Sequence, residues 1–134
     1  MRRLFLRSRS RIFWSDITEE VEGLLPRSGD GICLVFCPHT TASVMVNEGF
    51  DPNVVEDIVA HLSKLVPSSS GYLHAEGNSD AHIKSSLLGC SAAIGFSNGK
   101  LELGRWQRLF FVDFDGPRER EIWIKVVLQA DGER

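Results

Sequence analysis

The feature that most restricts the fold is an amphipathic segment that begins at Asp51-Pro52. An aspartate before a proline is typical of a helix start, because the carboxylate accepts hydrogen bonds from unpaired amides and proline already has the helical φ. Pro67 and the run 68–71 end the segment. Between these limits, apolar residues recur at helical spacing, at Val54, Val55, Ile58, Val59, Leu62 and Leu65. The spacing predicts a helix over 52–65 with one apolar face.

Strand patterns lie on both sides of this helix. The continuous apolar run 32–36 predicts a strand that is buried on both faces, and β-branched residues resume after Pro38. Asn98-Gly99 predicts a two-residue hairpin, because these residues tolerate the positive φ angles that such a turn requires. Three more segments have strand character, at 41–46, 106–114 and 122–128.

Two shorter helices complete the predicted elements. Ser15 or Asp16 can cap a helix that runs to Leu25, and the cap-rich cluster 78–80 predicts a helix over 80–88 that ends at Gly89. Helices mixed with hairpin-connected strands indicate an α+β fold, with a mostly antiparallel β-sheet or sandwich and two or three helices. The chain has 134 residues and no internal repeat or linker, so we expect a single compact domain over 1–134.

The charge balance limits the partners. Fifteen Lys and Arg against eighteen Asp and Glu give a net charge of −3, which attracts no polyanion globally. Five arginines nevertheless precede the first acidic residue, at positions 2, 3, 7, 9 and 11. They are typical of a transit peptide or a nucleic-acid-binding arm, or of a strand that interleaves them with Leu4, Leu6 and Ile12. We favour the strand and expect no nucleic acid as partner. We also expect no membrane, since no apolar run approaches the roughly 20 residues of a membrane span.

The cysteines indicate a compartment and a packing role. Cys33, Cys37 and Cys90 are too few, and odd in number, for a secreted disulfide framework, which favours a reducing, cytoplasmic location. Cys33 and Cys37 lie on one face of the predicted strand. The tight turn of a zinc knuckle is missing between them, so we expect them to be buried as small hydrophobic residues.

Three of the four histidines, His39, His74 and His82, lie in loops or at element ends. His61 falls on the polar flank of the long helix, where we expect it to be solvated. The gap of eight between His74 and His82 is not the i, i+4 spacing of a helical metal site, so spacing alone does not bring the imidazoles together. Two roles stay open: acid–base groups that titrate near neutral pH, or ligands of Zn²⁺ with an open position for water.

A second cluster of polar groups stands where a strand leads into the long helix. It contains Asn47, Glu48 and Asp51. Asp51 is explained as a helix cap, but Glu48 has no evident structural role, which favours a functional one. Trp106 and Gln107 begin a later strand and offer a stacking surface and hydrogen bonds to ring nitrogens, although a tryptophan more often packs in a core.

The first turn of the predicted 80–88 helix is a candidate anion site. Its free amides carry partial positive charge, and Lys84 and the Ser79 hydroxyl add donors. The helix dipole supplies only about 0.3–1 kcal/mol, so a cation or metal ion must help to hold a phosphate. Asp80 in the same turn opposes a bare anion and suits a metal-bridged one better.

Taken together, these segments resemble the YjbQ-like family, also called the secondary thiamine-phosphate synthase family. Any one block is weak, but six in register are highly specific. One departure is Asp113, where the family often has glutamate. The matching blocks are 38–43, 47–48 with 51–52, 74 with 77–89, 99–101 with 103–104, 106–107 and 113–118.

The resemblance implies a compact α+β chain that assembles as a homotrimer with sites near the subunit boundaries. It also implies a weak transferase activity that joins a pyrimidine diphosphate to a thiazole phosphate and gives thiamine phosphate and pyrophosphate. The partner is then a small phosphorylated heterocycle. The alternative is a non-catalytic module that binds a metal ion or a phosphorylated ligand.

The expected site combines these groups in one pocket. The expected catalytic residues are His39, Asn47, Glu48, Asp51, His74 and His82. The expected ligand- and phosphate-binding residues are Thr41, Asn78, Asp80, Lys84, Trp106 and Gln107. A divalent metal ion is expected as cofactor. Mg²⁺ would suit the oxygens of Glu48, Asp51 or Asp80, and Zn²⁺ would suit the imidazoles of His39, His74 and His82.

Overall fold

Strands and helices follow one another largely as the sequence patterns indicate. A computed structural model describes residues 1–130 of the chain. The strands of this part are β1 (Arg2–Arg7), β2 (Phe13–Asp16), β3 (Asp30–Phe36), β4 (Ala42–Glu48), β5 (Ser91–Ser97), β6 (Lys100–Leu101), β7 (Gln107–Asp113) and β8 (Glu119–Leu128). The helices are α1 (Thr18–Glu22), α2 (Pro52–Leu65) and α3 (Ser79–Leu88).

The strands form two antiparallel sheets. One has five strands in the order β1-β8-β3-β5-β6, and the other has three in the order β2-β7-β4. Asn98, with φ 48°, and Gly99, with φ 81°, make the tight turn between β5 and β6 that the sequence predicts. The prediction of an α+β fold with mostly antiparallel sheets is confirmed.

The larger hydrophobic cluster joins residues of the two sheets. Alternate residues of β7 serve two clusters, as the period of two in a strand requires. Leu109 and Phe111 belong to this main core, whereas Phe110 and Val112 belong to a smaller cluster that receives Leu62 from α2. Helices α2 and α3 therefore cover one face of the three-stranded sheet, while its other face packs into the sandwich.

The predicted burial of β3 is wrong on one face. Cys33 and Val35 are fully buried, but Ile32, Leu34 and Phe36 are 54%, 40% and 36% exposed. Only one face of the strand meets the core, and the other is the outer surface of the five-stranded sheet. The chain thus has an apolar outer surface that the described residues do not cover.

The long helix has its predicted bounds. Asp51 Oδ1 accepts a hydrogen bond from the Asn53 amide at 3.0 Å, and Pro52 is the first helical residue. None of the residues of α2 is fully buried, so its apolar face packs only partly. No helix among residues 1–130 is long and apolar enough to span a membrane.

The two shorter helices differ in how well they were predicted. α3 ends at Gly89, whose φ is 95°, as predicted. α1 is shorter than predicted and ends at Glu22 instead of Leu25. Leu24 and Leu25 continue it only as tight turns, with amides bonded to the carbonyls three residues earlier.

The arginine-rich N-terminus forms strand β1, as favoured from its sequence. Leu4 and Leu6 pack partly against the main core, and Arg7 forms an ion pair of 3.5 Å with Glu119 on the neighbouring strand. Ile12 lies beyond β1 and packs against the smaller cluster, so its assignment to the same face was wrong.

Cys33 and Cys37 confirm the packing prediction. They are 0% and 1% exposed, and burial raises the pKa of each thiol to about 11. Both therefore stay protonated at neutral pH and act as small hydrophobic groups.

Candidate functional site

Two cavities adjoin where β3 ends and β4 begins. The smaller, about 320 Å³, is termed the polar cavity, and the other, about 820 Å³, the large cavity. Four residues line both: Pro38, His39, Thr40 and His82. The polar cavity adds Thr41, Glu76, Asn78, Asp115, Arg118 and Arg120. The sandwich thus brings three separate segments of the chain to one opening.

Two of the three imidazoles line the same cavities, and the third contacts one of these two. His39 and His82 line both cavities, and the ring centroids of His74 and His82 lie 5.3 Å apart with their planes nearly perpendicular. Glu76 Oε2 lies 3.8 Å from His74 Nε2. The fold supplies this proximity by placing the loop before α3 beside the segment between β3 and β4. Spacing along the sequence could not predict it.

His39 is anchored and electrically neutral. Its Nε2 lies 3.0 Å from both the amide nitrogen and the carbonyl oxygen of Glu121, so this nitrogen is committed to the backbone of that residue. Burial, followed by the positive charge of Arg120, lowers the pKa of His39 below its ordinary 6.5. Nδ1 is therefore the ring nitrogen that remains for other contacts.

A buried ion pair supports the polar cavity. Arg120 Nε donates to Asp113 Oδ2 at 2.9 Å, and its Nη2 donates to Asp113 Oδ1 and to Thr41 Oγ1, both at 2.8 Å. Ser8 Oγ donates to Asp113 Oδ2 at 2.7 Å. Burial alone would raise the pKa of Asp113, but the hydrogen bonds from Arg120 and Ser8 outweigh it, and the net pKa is lowered. Asp113 is therefore an anionic support for Arg120.

Arg118 is held at the rim of the polar cavity by Asp115. Its Nε donates to the Asp115 carbonyl at 2.9 Å and its Nη2 donates to Asp115 Oδ2 at 3.1 Å. Asn78 Nδ2 donates to the same carboxylate oxygen at 2.9 Å. Asn78 stands at the cap position of α3, but its side chain binds Asp115 instead of a helix amide. Since a guanidinium has five donors, Arg118 keeps N–H groups for a ligand.

Arg118, Arg120, Asp115 and Glu76 were missed as site residues. Asp115 and Arg118 fall inside one of the family-like blocks, 113–118, and that block was the available signal. Arg120 and Glu76 lie outside it, and no spacing rule indicated them. Arg120 reaches the cavity because β8 begins beside His39 after the turn that follows β7, and Glu76 reaches it from the loop before α3.

Asp80 and Lys84 bind each other, and neither lines the two cavities. They are 2% and 3% exposed, with Lys84 Nζ 3.5 Å from Asp80 Oδ2. Arg11 Nη2 donates to Asp80 Oδ1 at 2.9 Å. The pair lies in the interior because the N-terminal half of α3 is buried, which the weak amphipathic pattern of this helix did not predict.

The second polar cluster lies at the other end of β4. Glu48 lies six steps along the strand from Ala42, which corresponds to about 20 Å. Glu48 Oε2 accepts hydrogen bonds from the amides of Phe50 and Asp51 at 2.6 and 2.8 Å. The view that Glu48 has no structural role is therefore wrong, because it closes the turn into α2. Asn47 makes a local bond of 2.7 Å from its Oδ1 to the Glu48 amide.

Trp106 and Gln107 lie at this same distant end, since Gln107 is paired with Glu48. Gln107 Oε1 accepts from the Gly104 amide at 2.8 Å. Trp106 is 54% exposed and stacks under the Arg105 guanidinium at 4.8 Å, so it is not a core tryptophan. Within one chain, the acidic cluster and the three imidazoles do not share a pocket. The expected single pocket is therefore not formed within residues 1–130 of one chain.

The donor set does not match a resident metal centre. Residues 1–130 contain no group of three or more His, Cys, Asp and Glu side chains arranged to hold a metal ion. His39 Nε2 is already bound to the Glu121 peptide. Zinc ligation by the three imidazoles thus stays a prediction without a preformed site in residues 1–130.

The two cavities differ in chemistry. Arg118 and Arg120 line the polar cavity, whereas the large cavity is lined by Phe36 and Trp123, whose ring centroids are 5.9 Å apart. Arginine donors suit phosphate or carboxylate, and aromatic rings suit a flat apolar group. The arrangement therefore fits a ligand that carries an anionic group next to a ring.

The fold and these cavities define a small α+β sandwich with a cavity lined by two histidines. A family model described as "UPF0047 protein YjbQ-like" matches residues 2–129. The chain belongs to this YjbQ/UPF0047 family.

Relatives and solved structures agree with this assignment. A UPF0047 protein of Methanocaldococcus jannaschii is 49% identical over 114 residues, which cover 84% of this chain and 83% of that protein. The UPF0047 protein YugU of Bacillus subtilis is 44% identical over 115 residues, 84% of this chain and 87% of YugU. An uncharacterised YjbQ/UPF0047 protein of Clostridium acetobutylicum superposes with a TM-score of 0.89 at 42% identity, covering 95% of this chain and 100% of that one.

Proposed function

We propose that the chain binds a small phosphorylated heterocycle across the two cavities and acts as a thiamine-phosphate synthase-like transferase. The observation that carries this proposal is the presence of Arg118 and Arg120 in the same cavity as His39 and His82. In the proposed complex, the phosphates contact the guanidinium groups and the ring lies in the large cavity, beside Phe36 and Trp123.

The proposed reaction replaces one bond at a methylene carbon. The C–O bond between the pyrimidine methylene and the diphosphate breaks, and the oxygen keeps the electron pair. The ring nitrogen of the thiazole phosphate donates its pair to the same carbon and forms the C–N bond. Pyrophosphate leaves, and neither oxidant nor reductant is needed.

The residues of the polar cavity have distinct tasks in this scheme. Arg118 and Arg120 bind the diphosphate and stabilise the negative charge that grows on it as it departs. His82, next to His74, donates a proton to the leaving oxygen. His39 stays neutral and hydrogen-bonds the substrate through Nδ1.

A divalent cation fits this scheme best as part of the substrate. Mg²⁺ is commonly bound through one or two carboxylates together with substrate phosphates. We propose that Mg²⁺ arrives on the diphosphate and meets Asp115 and Glu76, whose carboxylates line the polar cavity. Zn²⁺ has no comparable support, because a structural or catalytic zinc site needs three or four fixed protein ligands.

We further propose that the chain assembles as a homotrimer through the outer face of its five-stranded sheet. Ile32 and Leu34 are exposed on this face, and so is Val127, which is paired with Ile32 and is 60% exposed. Phe5, on the edge strand β1, is 71% exposed. Several exposed apolar side chains on one face of a sheet are typical of a protein–protein interface. In such an assembly, the end of β4 that carries Glu48 and Asp51 in one copy could lie beside the imidazoles of another copy.

The test is a coupled assay for pyrophosphate release with the pyrimidine diphosphate and thiazole phosphate. We expect turnover to fall at least tenfold in His82→Asn and to persist in His61→Gln, a histidine on the exposed side of α2. Glu48→Gln tests whether the acidic end of another copy takes part in the reaction. If only the imidazole end takes part, the turnover of this variant equals that of the wild type.

The alternative function is a binding module without turnover, which two arginines in one polar cavity would serve equally well. Calorimetry with thiazole phosphate, run in parallel with the assay, distinguishes the two. Binding without pyrophosphate release supports the module. Absence of both binding and release would overturn the proposal as a whole.

A further inference from the structure

We propose that Cys37 and Cys90 form a reversible oxidation site on the wall of the large cavity, where a hydroperoxide converts the two thiols into a disulfide. This inference does not depend on the proposed transferase. It rests on the register of two strands and on the different exposure of the two thiols.

The register places the two cysteines opposite each other. The ladder between β3 and β5 ends with the pair Phe36 and Ser91, and one further step of the same register places Cys37 opposite Cys90. The Cys37 amide donates to the Cys90 carbonyl at 2.7 Å, which continues the ladder by one step. Directly opposite residues of this kind have Cα atoms about 5.5 Å apart. A disulfide usually spans about 4.4–6.8 Å between Cα atoms, so no shift of the strands is required.

Both side chains belong to the same face of the sheet. Cys33 is paired with Ile94, and both are buried, so this is the inner face. Two and four residues further along β3, Val35 and then Cys37 return to that face. Cys37 and Cys90 both line the large cavity, which gives a small oxidant a path to them.

The exposure of the thiols sets the order of events. Cys90 is exposed, whereas Cys37 is 1% exposed and has a pKa raised to about 11, chiefly by burial. The thiolate is the reactive form, so Cys90 reacts first and Cys37 acts as the slower resolving thiol.

The two steps balance without another redox partner. The Cys90 thiolate attacks one oxygen of the hydroperoxide, the O–O bond breaks, and a sulfenic acid forms while the leaving alkoxide or hydroxide takes a proton. The Cys37 sulfur, as it loses its proton, then attacks the sulfenic sulfur. The S–S bond forms, the S–O bond breaks, and the hydroxide leaves as water. A dithiol reverses the reaction by exchange.

The bond would act on the cavity through α3. Cys90 follows Gly89, the residue that ends α3, and the helix carries His82 and Ser85 on the wall of the large cavity. A disulfide fastens this end of α3 to the end of β3. We therefore expect the oxidised chain to melt at a higher temperature than the reduced chain, because the closed loop limits the unfolded state.

The experiment treats the full chain with hydrogen peroxide and follows the thiols by alkylation and peptide mass spectrometry. We expect a Cys37–Cys90 peptide lacking two hydrogen atoms, which dithiothreitol restores. Cys33→Ser is the matched control and should form the same bridge. In Cys37→Ser, dimedone should trap the sulfenic acid at Cys90.

The buried Cys37 variant could fold poorly, so Cys90→Ser is the second variant. Cys90 is exposed and its position tolerates the change, and the bridge must disappear in this variant. Three results would overturn the inference. They are a bridge between the Cys90 residues of two chains, a bridge that uses Cys33, and overoxidation of Cys90 while Cys37 stays alkylatable throughout.

Discussion

Arg120 and Asp113 join the two sheets through a buried two-point ion pair. Arg120 lies on β8 of the five-stranded sheet and Asp113 on β7 of the three-stranded one, and their N–O distances are 2.8 and 2.9 Å. The same guanidinium binds Thr41 next to the cavity and contributes to the low pKa of His39. The pair therefore couples the sandwich to the candidate site.

Replacing Asp113 by asparagine leaves the Arg120 charge buried without its counter-charge. Loss of one partner of a buried ion pair typically costs about 3–5 kcal/mol of the free energy of unfolding, so we expect a loss of this order in urea titrations. Glu119→Gln, which removes the exposed ion pair with Arg7, is the control and should leave the midpoint unchanged. Equal midpoints for wild type and Asp113→Asn would contradict the support role.

The pKa of His39 predicts a pH dependence of stability. Because its pKa is lowered in the folded state, the unfolded chain binds a proton more readily below the ordinary value of 6.5. The free energy of unfolding should therefore fall as the pH drops from about 6.5 towards the folded pKa, and level off below it. This decrease should be smaller in His39→Gln, whose amide can still accept from the Glu121 N–H.

Urea titrations between pH 7.5 and 5 measure this difference. His61→Gln, on the exposed side of α2, should follow the wild type throughout. If the free energy of unfolding depends on pH in the same way in the wild type and in His39→Gln, His39 titrates alike in the folded and unfolded states. That result would contradict the prediction.

Local signals were sufficient for much of the fold. The Asp51-Pro52 start of α2, the Gly89 end of α3 and the Asn98-Gly99 turn each depend on the conformational preferences of one or two residues. Such preferences act before tertiary contacts form, so the sequence alone predicts them. The predicted burial of both faces of the run 32–36 was wrong. An apolar pattern shows that a face is hydrophobic, but it does not show whether the same chain or another molecule covers that face.

The site was predicted less well, since it depends on long-range contacts. Residue type made His39 and His82 candidates, and the fold brings them into one cavity. Glu48 binds amides two and three residues along the chain, and Lys84 binds Asp80 one helical turn away, so these groups already have local partners that residue type alone did not indicate. Conversely, Arg120 becomes a site residue only after β8 pairs beside the segment 37–41.

The outer apolar face gives a prediction about assembly. Leu34 is 40% exposed at the centre of this face, so Leu34→Glu places a charge in the proposed trimer interface. Light scattering should give about three times the chain mass of 15.0 kDa for the wild type and the single-chain mass for the variant. Leu73→Glu, in the fully exposed loop before α3, is the control and should keep the wild-type mass. A wild-type mass equal to that of one chain would contradict the proposed interface.

Arg118 offers the most direct test of the anion site. Its guanidinium is about half exposed at the polar cavity and is oriented by Asp115, so it can meet a phosphate without rearranging. A hydrogen bond to a charged group contributes about 1.5–3 kcal/mol, and Arg118→Ala should therefore weaken binding of inorganic pyrophosphate at least about tenfold in calorimetry. Arg118→Lys should recover part of the affinity, because the charge returns without the fork geometry.

Arg105→Ala is the matched control for this measurement. Arg105 is also an exposed arginine, but it stacks on Trp106 at the far end of the sandwich. Its loss should leave the affinity unchanged, whereas a general effect of net charge would weaken binding equally in both variants. Equal losses of affinity in Arg105→Ala and Arg118→Ala would therefore show that pyrophosphate is attracted by the overall electrostatic field of the protein. The polar cavity would then have no specific role in binding it.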